Sequence, residues 1–180
     1  MGLHEIVLPE TKPETEWLDG RAVQKVSPTY SHSQLQMALM LALESWDTDR
    51  QFGRFGPEWR FRLTPPGEVT RPLVPDVGYL SYEALSRDAA DDDVEIPLAS
   101  PTVAFEVLSP DDRPRLVAIK IATYLASGTS AVVVVDGRET SVTVHAPGSV
   151  SRFSAGDVVT LDAMPGLSID VAALFARARR

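Results

Sequence analysis

Val103-Ala-Phe-Glu-Val-Leu108, Ser109-Pro-Asp-Asp-Arg-Pro114, Arg115-Leu-Val-Ala-Ile-Lys-Ile-Ala-Thr-Tyr-Leu125 and Ala131-Val-Val-Val-Val-Asp136 form one stretch whose reading decides the fold. The first segment is apolar except at Glu106 and reads as a buried strand that Ser109-Pro110 stops. Asp111 and Asp112 lie in a loop, where short acidic side chains commonly cap a following helix. That helix is expected to run to Ser127, with Gly128 ending it. The β-branched run 131–136 suits a central strand covered on both faces. Strand, helix and strand make a crossover unit, so these two strands are expected to be parallel.

Outward from this unit, the chain alternates short strands and turns. Residues 1–15, with Pro9 and Pro13, read as an N-terminal arm. Residues 16–26 read as a hairpin turning at Asp19-Gly20, and Ser27-Pro28 breaks the chain. Leu35, Leu39, Ala42, Leu43 and Trp46 recur at helical spacing, giving a helix from Ser31 to Trp46 with Ser31 or Ser33 as its cap. Residues 52–63 alternate as a half-exposed strand, and Pro72 and Pro75 confine the next strand to a short one near Asp76. An acidic excursion over 83–100 is expected to hold a short helix at 82–88. Residues 141–146, 150–153 and 158–161 read as edge strands of antiparallel hairpins, and Val171 opens a terminal helix. The pattern predicts an α/β (α+β) fold: one domain over 16–180, with a mixed sheet flanked by helices and extra antiparallel hairpins.

Composition narrows the function. The 180 residues hold no cysteine, which excludes disulfides and zinc–thiolate centres, and a cytoplasmic location is the default. No basic-then-apolar leader opens the chain and no run is long enough to span a membrane. The formal net charge of −8 argues against a tight, non-specific nucleic-acid binder. The charge is uneven, however: Arg50, Arg54, Arg60, Arg62 and Arg71 form a basic segment, and Asp88, Asp91, Asp92, Asp93 and Glu95 an acidic one. A local basic surface is therefore compatible with the sequence. There is neither a Gly-rich phosphate loop nor a nucleophile elbow.

Three charged residues interrupt apolar runs: Asp76 in Leu73-Val-Pro-Asp-Val-Gly-Tyr-Leu80, Glu106 in its strand, and Lys120 in its helix. Burying an ion costs on the order of several kcal/mol unless a partner or a metal compensates. Strand alternation places Glu106 on the face of Ala104 and Leu108, opposite Val103, Phe105 and Val107. Lys120, one of three lysines, has Leu116, Val117, Thr123 and Tyr124 as its helical neighbours. Each has an ordinary structural explanation: an ion pair for Glu106, a turn for Asp76, a snorkelling stem for Lys120. Together, two acids and an ammonium suit a divalent-metal site for phosphodiester hydrolysis. His32 at a helix start and Glu16 at a strand start are accessory candidates.

Glu16-Trp-Leu-Asp-Gly20, Ser27-Pro28, His32, Pro75-Asp76-Val77, Phe105-Glu-Val-Leu-Ser-Pro110, Lys120 with Tyr124, and Val135-Asp136 follow in an order that resembles the Uma-two family of the PD-(D/E)XK nuclease superfamily. The resemblance spans about residues 14–175 and implies a restriction-endonuclease-like core. It further implies that Asp76 and Glu106 ligate Mg²⁺, which Mn²⁺ can replace, with help from the Val107 carbonyl. Lys120 would stand in for the lysine that the superfamily usually places two residues after the glutamate, where this chain has Leu108. Leu116 replaces an acidic residue common four positions before that lysine, and Ser130-Ala131-Val132 replaces a familiar Glu-Tyr-Trp run. The expected function is metal-dependent endonucleolytic cleavage of DNA by a homodimer. The alternatives are a catalytically silent binding or scaffold module and a purely structural salt-bridge network.

Overall fold

A computed structural model describes residues 5–179. In chain order it contains β1 (Thr15–Leu18), β2 (Arg21–Gln24), α1 (Tyr30–Trp46), β3 (Gly53–Pro57), β4 (Phe61–Leu63), β5 (Arg71–Leu73) and β6 (Val77–Ser81). Then come α2 (Asp91–Glu95), β7 (Val103–Val107), α3 (Pro114–Ala126), β8 (Ala131–Asp136), β9 (Ser141–Ala146), β10 (Ser149–Phe153), β11 (Val158–Leu161), β12 (Met164–Asp170) and α4 (Val171–Ala178). Of the arm expected over 1–15, residues 1–4 lie outside the described residues; Glu5 forms a parallel bridge to Thr70.

Six strands form the central mixed sheet in the order β10-β9-β8-β7-β6-β3. The expected parallel pair is β7 and β8, with Glu106 opposite Val134, and every other neighbour is antiparallel. Alternation divides the core as the sequence predicts. Val103, Phe105 and Val107 join α1, α4 and the β11–β12 hairpin on one face. Ala104 joins Val132, Val134 and Tyr124 of α3 on the other, beside the β1–β2 and β4–β5 hairpins. Gly78 is required where the layers meet: a Cβ there would lie 2.6 Å from the Phe61 ring.

The hairpin at Asp19-Gly20 forms as expected, with φ of 53° and 72° at its two central residues, the left-handed pair of a type I′ turn. Other expectations need correction. Helix α1 starts at Tyr30, so its cap is Thr29, whose hydroxyl accepts from His32 N at 3.3 Å, and not Ser31 or Ser33. The strand expected over 52–63 is two strands, because Glu58 takes a φ of 49° after Pro57 and sends β4 to the other face. No helix forms at 82–88. The carbonyls of Leu85, Ser86 and Arg87 accept from the Arg54 guanidinium at 3.1, 3.0 and 2.7 Å rather than from a helical ladder. Asp112 does not cap α3; it accepts from Ser109 N at 2.6 Å, and α3 opens on Pro114 after Arg113. Strand β9 is internal, not an edge, and β12 is a strand the sequence reading lacked.

Candidate active site

The five candidate side chains converge on one cavity of about 370 Å³. Asp76 lies immediately before β6, Glu106 is on β7, Glu16 on β1, His32 in the first turn of α1, and Lys120 in the middle of α3. All five are at most 8% exposed. Lys120 Nζ donates to Val74 O at 3.0 Å and to Glu106 Oε2 at 3.0 Å, and lies 2.8 Å from Glu16 Oε1. It is also 2.9 Å from Glu106 Oε1. Asp76 Oδ2 accepts from Val107 N at 2.7 Å and lies 3.3 Å from His32 Nε2. Glu16 Oε1 accepts from Val74 N at 2.7 Å, which ties the β1–β2 hairpin to the segment carrying Asp76.

One residue of the site was missed in the sequence. Lys25, just past β2, donates to Asp76 Oδ1 at 2.8 Å, Glu58 Oε2 at 2.8 Å and Val74 O at 3.2 Å. Gln36 completes this cluster by donating to Asp76 O at 2.7 Å and Glu58 Oε1 at 3.0 Å. A lysine at the end of a short, exposed hairpin strand carries no sequence signal for burial.

Two ammonium groups thus face three buried carboxyl groups, those of Glu16, Asp76 and Glu106, so a proton or a further cation must balance the cluster. The groups respond accordingly. Burial raises the Glu106 pKa, and with Asp76 nearby this outweighs the pull of Lys120, so Glu106 is pushed up to about 8. Burial also acts against the Asp76 carboxylate, but Lys25 and the His32 hydrogen bond prevail and hold it well below the usual range. Burial disfavours the His32 imidazolium, yet its bond to Asp76 raises its pKa. Lys120 is raised in spite of burial by Glu106 and Glu16, and therefore stays charged.

A pH dependence follows. The folded state holds a proton on Glu106 that the unfolded chain releases near the ordinary value of 4.5, so this stability contribution is complete below that value and is lost as pH rises through about 8. Between pH about 5 and 9 the melting temperature of the metal-free protein should fall, and Glu106→Gln should flatten that part of the profile. An unchanged slope in Glu106→Gln would assign the effect to another group.

The basic segment does not form a free surface. Arg60 pairs with Glu14, Arg62 with Glu5, Arg71 with Glu68 and Arg50 with Glu44, while Arg54 is bound to carbonyls. By contrast, Arg21 and Arg113, which line the cavity, form no ion pair among the described residues. They are exposed cations at the edge of the candidate site.

Among the described residues, no three His, Asp or Glu side chains form a ready-made ligand group for a metal. Two carboxylates are nonetheless the complement that Mg²⁺ commonly uses, since it retains several waters. Once Glu106 releases its proton, three carboxylates face two ammonium groups, which suits a cation in this cavity. No described helix is long and apolar enough to cross a membrane.

Comparison with known proteins agrees with this architecture. The family model described as "Uma2: Putative restriction endonuclease" matches residues 4–172. A solved structure from Anabaena variabilis ATCC 29413, described as a putative nuclease belonging to DUF820, superposes with a TM-score of 0.81 at 25% identity. The match covers 95% of this chain and 94% of that one. No curated protein matches the chain.

Proposed function

The chain belongs to the Uma2 family, and from that membership we propose that it is a Mg²⁺-dependent endonuclease that hydrolyses phosphodiester bonds in DNA, with Mn²⁺ able to replace Mg²⁺. The observation that carries the reading is the buried cluster of Asp76, Glu106 and Lys120 in one cavity, where three acidic side chains meet two ammonium groups. Asp76 and Glu106 would hold the cation, assisted by the Val107 carbonyl. A bound divalent cation supplies a Lewis acid for the phosphate and a water of lowered pKa.

The protein's own groups do the rest. Lys120 keeps Glu106 oriented and places a fixed ammonium beside the position of the reacting phosphate, where it offsets developing negative charge. Glu16 fixes Lys120, and His32 fixes Asp76. Arg21 and Arg113 would meet backbone phosphates at the mouth. Cutting both strands of a duplex suits a two-fold homodimer, and a cytoplasmic setting accords with the cysteine-free chain.

The test is cleavage of plasmid and short duplex DNA, with RNA alongside, in Mg²⁺ or Mn²⁺. Asp76→Asn should reduce the rate by about two orders of magnitude or more, because several kcal/mol of charge stabilisation depend on the metal. One observation favours a second reading, a silent binding module: the basic segment is spent on internal contacts in a chain of net charge −8. Metal bound by the wild type with no cleavage of either nucleic acid would decide for that module.

A further inference from the structure

Lys25 and Lys120 stand side by side in the cavity, but their attachments differ. Every N–H of the Lys120 ammonium has a buried acceptor: Val74 O, Glu106 and Glu16. Moving it would strand two buried carboxylates. Lys25 also has three acceptors, yet Glu58 is different in kind. Its side chain is 41% exposed and its other oxygen already accepts from Gln36. Glu58 is therefore served by water and Gln36 whether or not Lys25 stays. The Asp76 Oδ1 that Lys25 occupies is also an oxygen that a metal on Asp76 would take up. Two cations on one carboxylate oxygen repel strongly at such short range.

We infer that Lys25 is the movable cation of the site: it occupies Asp76 Oδ1 in the metal-free protein, yields it to the divalent cation, and turns its freed ammonium to the phosphate of the nucleic acid. This inference rests on the reading of Asp76 as a metal ligand. Lys25 is in this sense a positioning and charge-compensating residue, because it keeps Asp76 ionised and in place until the metal arrives. Its four-carbon stem is flexible enough for the exchange, whereas Lys120 is held on the helix among buried partners.

Two measurements on the full chain test this. The first is Mn²⁺ affinity, read from the free-ion resonance, for wild type, Asp76→Asn, Lys25→Met, Lys25→Gln and Arg21→Met. Removing the competitor should tighten Mn²⁺ binding by about tenfold or more in both Lys25 variants, given the interaction of unit charges a few ångströms apart. Arg21→Met removes a charge from the cavity mouth without touching Asp76 and should change affinity less than about twofold at ordinary salt. Lys25→Gln retains an amide donor to Asp76, and affinities are compared only at a temperature where the melting curve of each variant shows it folded. Equal affinities in wild type and Lys25→Gln, or equal tightening in Arg21→Met, would overturn the inference while leaving the metal site intact. Mn²⁺ binding undiminished in Asp76→Asn would instead sink the metal reading and this inference with it.

The second is binding of a short duplex in Ca²⁺ across a salt series. Losing one phosphate contact should lower the slope of log affinity against log salt by about 0.9 in Lys25→Gln. That loss should occur with Ca²⁺ and vanish with chelator. A slope equal to that of the wild type in Ca²⁺ would mean that the ammonium never reaches the phosphate.

Discussion

Lys120→Met should be the most damaging single substitution at the site, lowering stability by about 3–5 kcal/mol, the range found when one member of a buried ion pair is removed. Two buried carboxylates, Glu106 and Glu16, would lose their shared partner, and Val74 O would lose its donor. For a chain of this length, each kcal/mol corresponds to about 2–4 °C in melting temperature, so a fall near 10 °C is expected. Glu106→Gln should be far milder, because below pH about 8 the amide replaces a side chain that is already neutral. The double variant Lys120→Met/Glu106→Gln should recover part of the loss, a non-additivity that a double-mutant cycle reads directly. A loss below about 1 kcal/mol in Lys120→Met would mean that water reaches the ammonium and that the pairing is of the weak, surface type.

The second large effect should come from metal. A ligand that binds only the folded state adds about 2.7 kcal/mol at one hundred times its dissociation constant, so millimolar Mn²⁺ should raise the melting temperature by several degrees and chelator should reverse it. The rise should be larger at pH 8.5 than at pH 6, since Glu106, with its pKa near about 8, must release a proton before it can ligate. Asp76→Asn and Glu106→Gln should each reduce the rise. Equal shifts in wild type and both variants would place the bound ion elsewhere on the chain.

Much of this was legible in the sequence because the relevant residues violate their local pattern. Glu106 breaks a strand whose alternation is otherwise apolar, and Lys120 breaks an apolar helix face, so both stand out without any fold in view. The parallel pair β7 and β8 followed from one crossover unit. What escaped notice depended on contacts distant in sequence. Lys25 meets Asp76 across 51 residues, from a hairpin strand that looks solvated. The arginines at 54, 60 and 62 read as a surface because nothing local shows that the 85–87 carbonyls, Glu14 and Glu5 lie opposite them. The cap of α1 lies only two residues from the nearer serine proposed for it, whereas the break at Glu58 has no counterpart in the sequence reading, because a single backbone angle decides between strand and turn.

The β1–β2 hairpin shares no ladder with the six-stranded sheet; it is a two-strand ribbon set against it. Yet it brings in Glu16, and Lys25 follows directly from its second strand. Detachment of the ribbon would therefore remove an anion from Lys120 and a cation from Asp76 in the same event, and would admit water to both. Amide protons in the ribbon should accordingly exchange in step with the ionisation of residues 50 or more positions away. The amino-terminal ribbon is thus fastened to the body by charge as well as by the apolar packing of Leu18 and Val23, and the state of the chamber should bear on how often it opens.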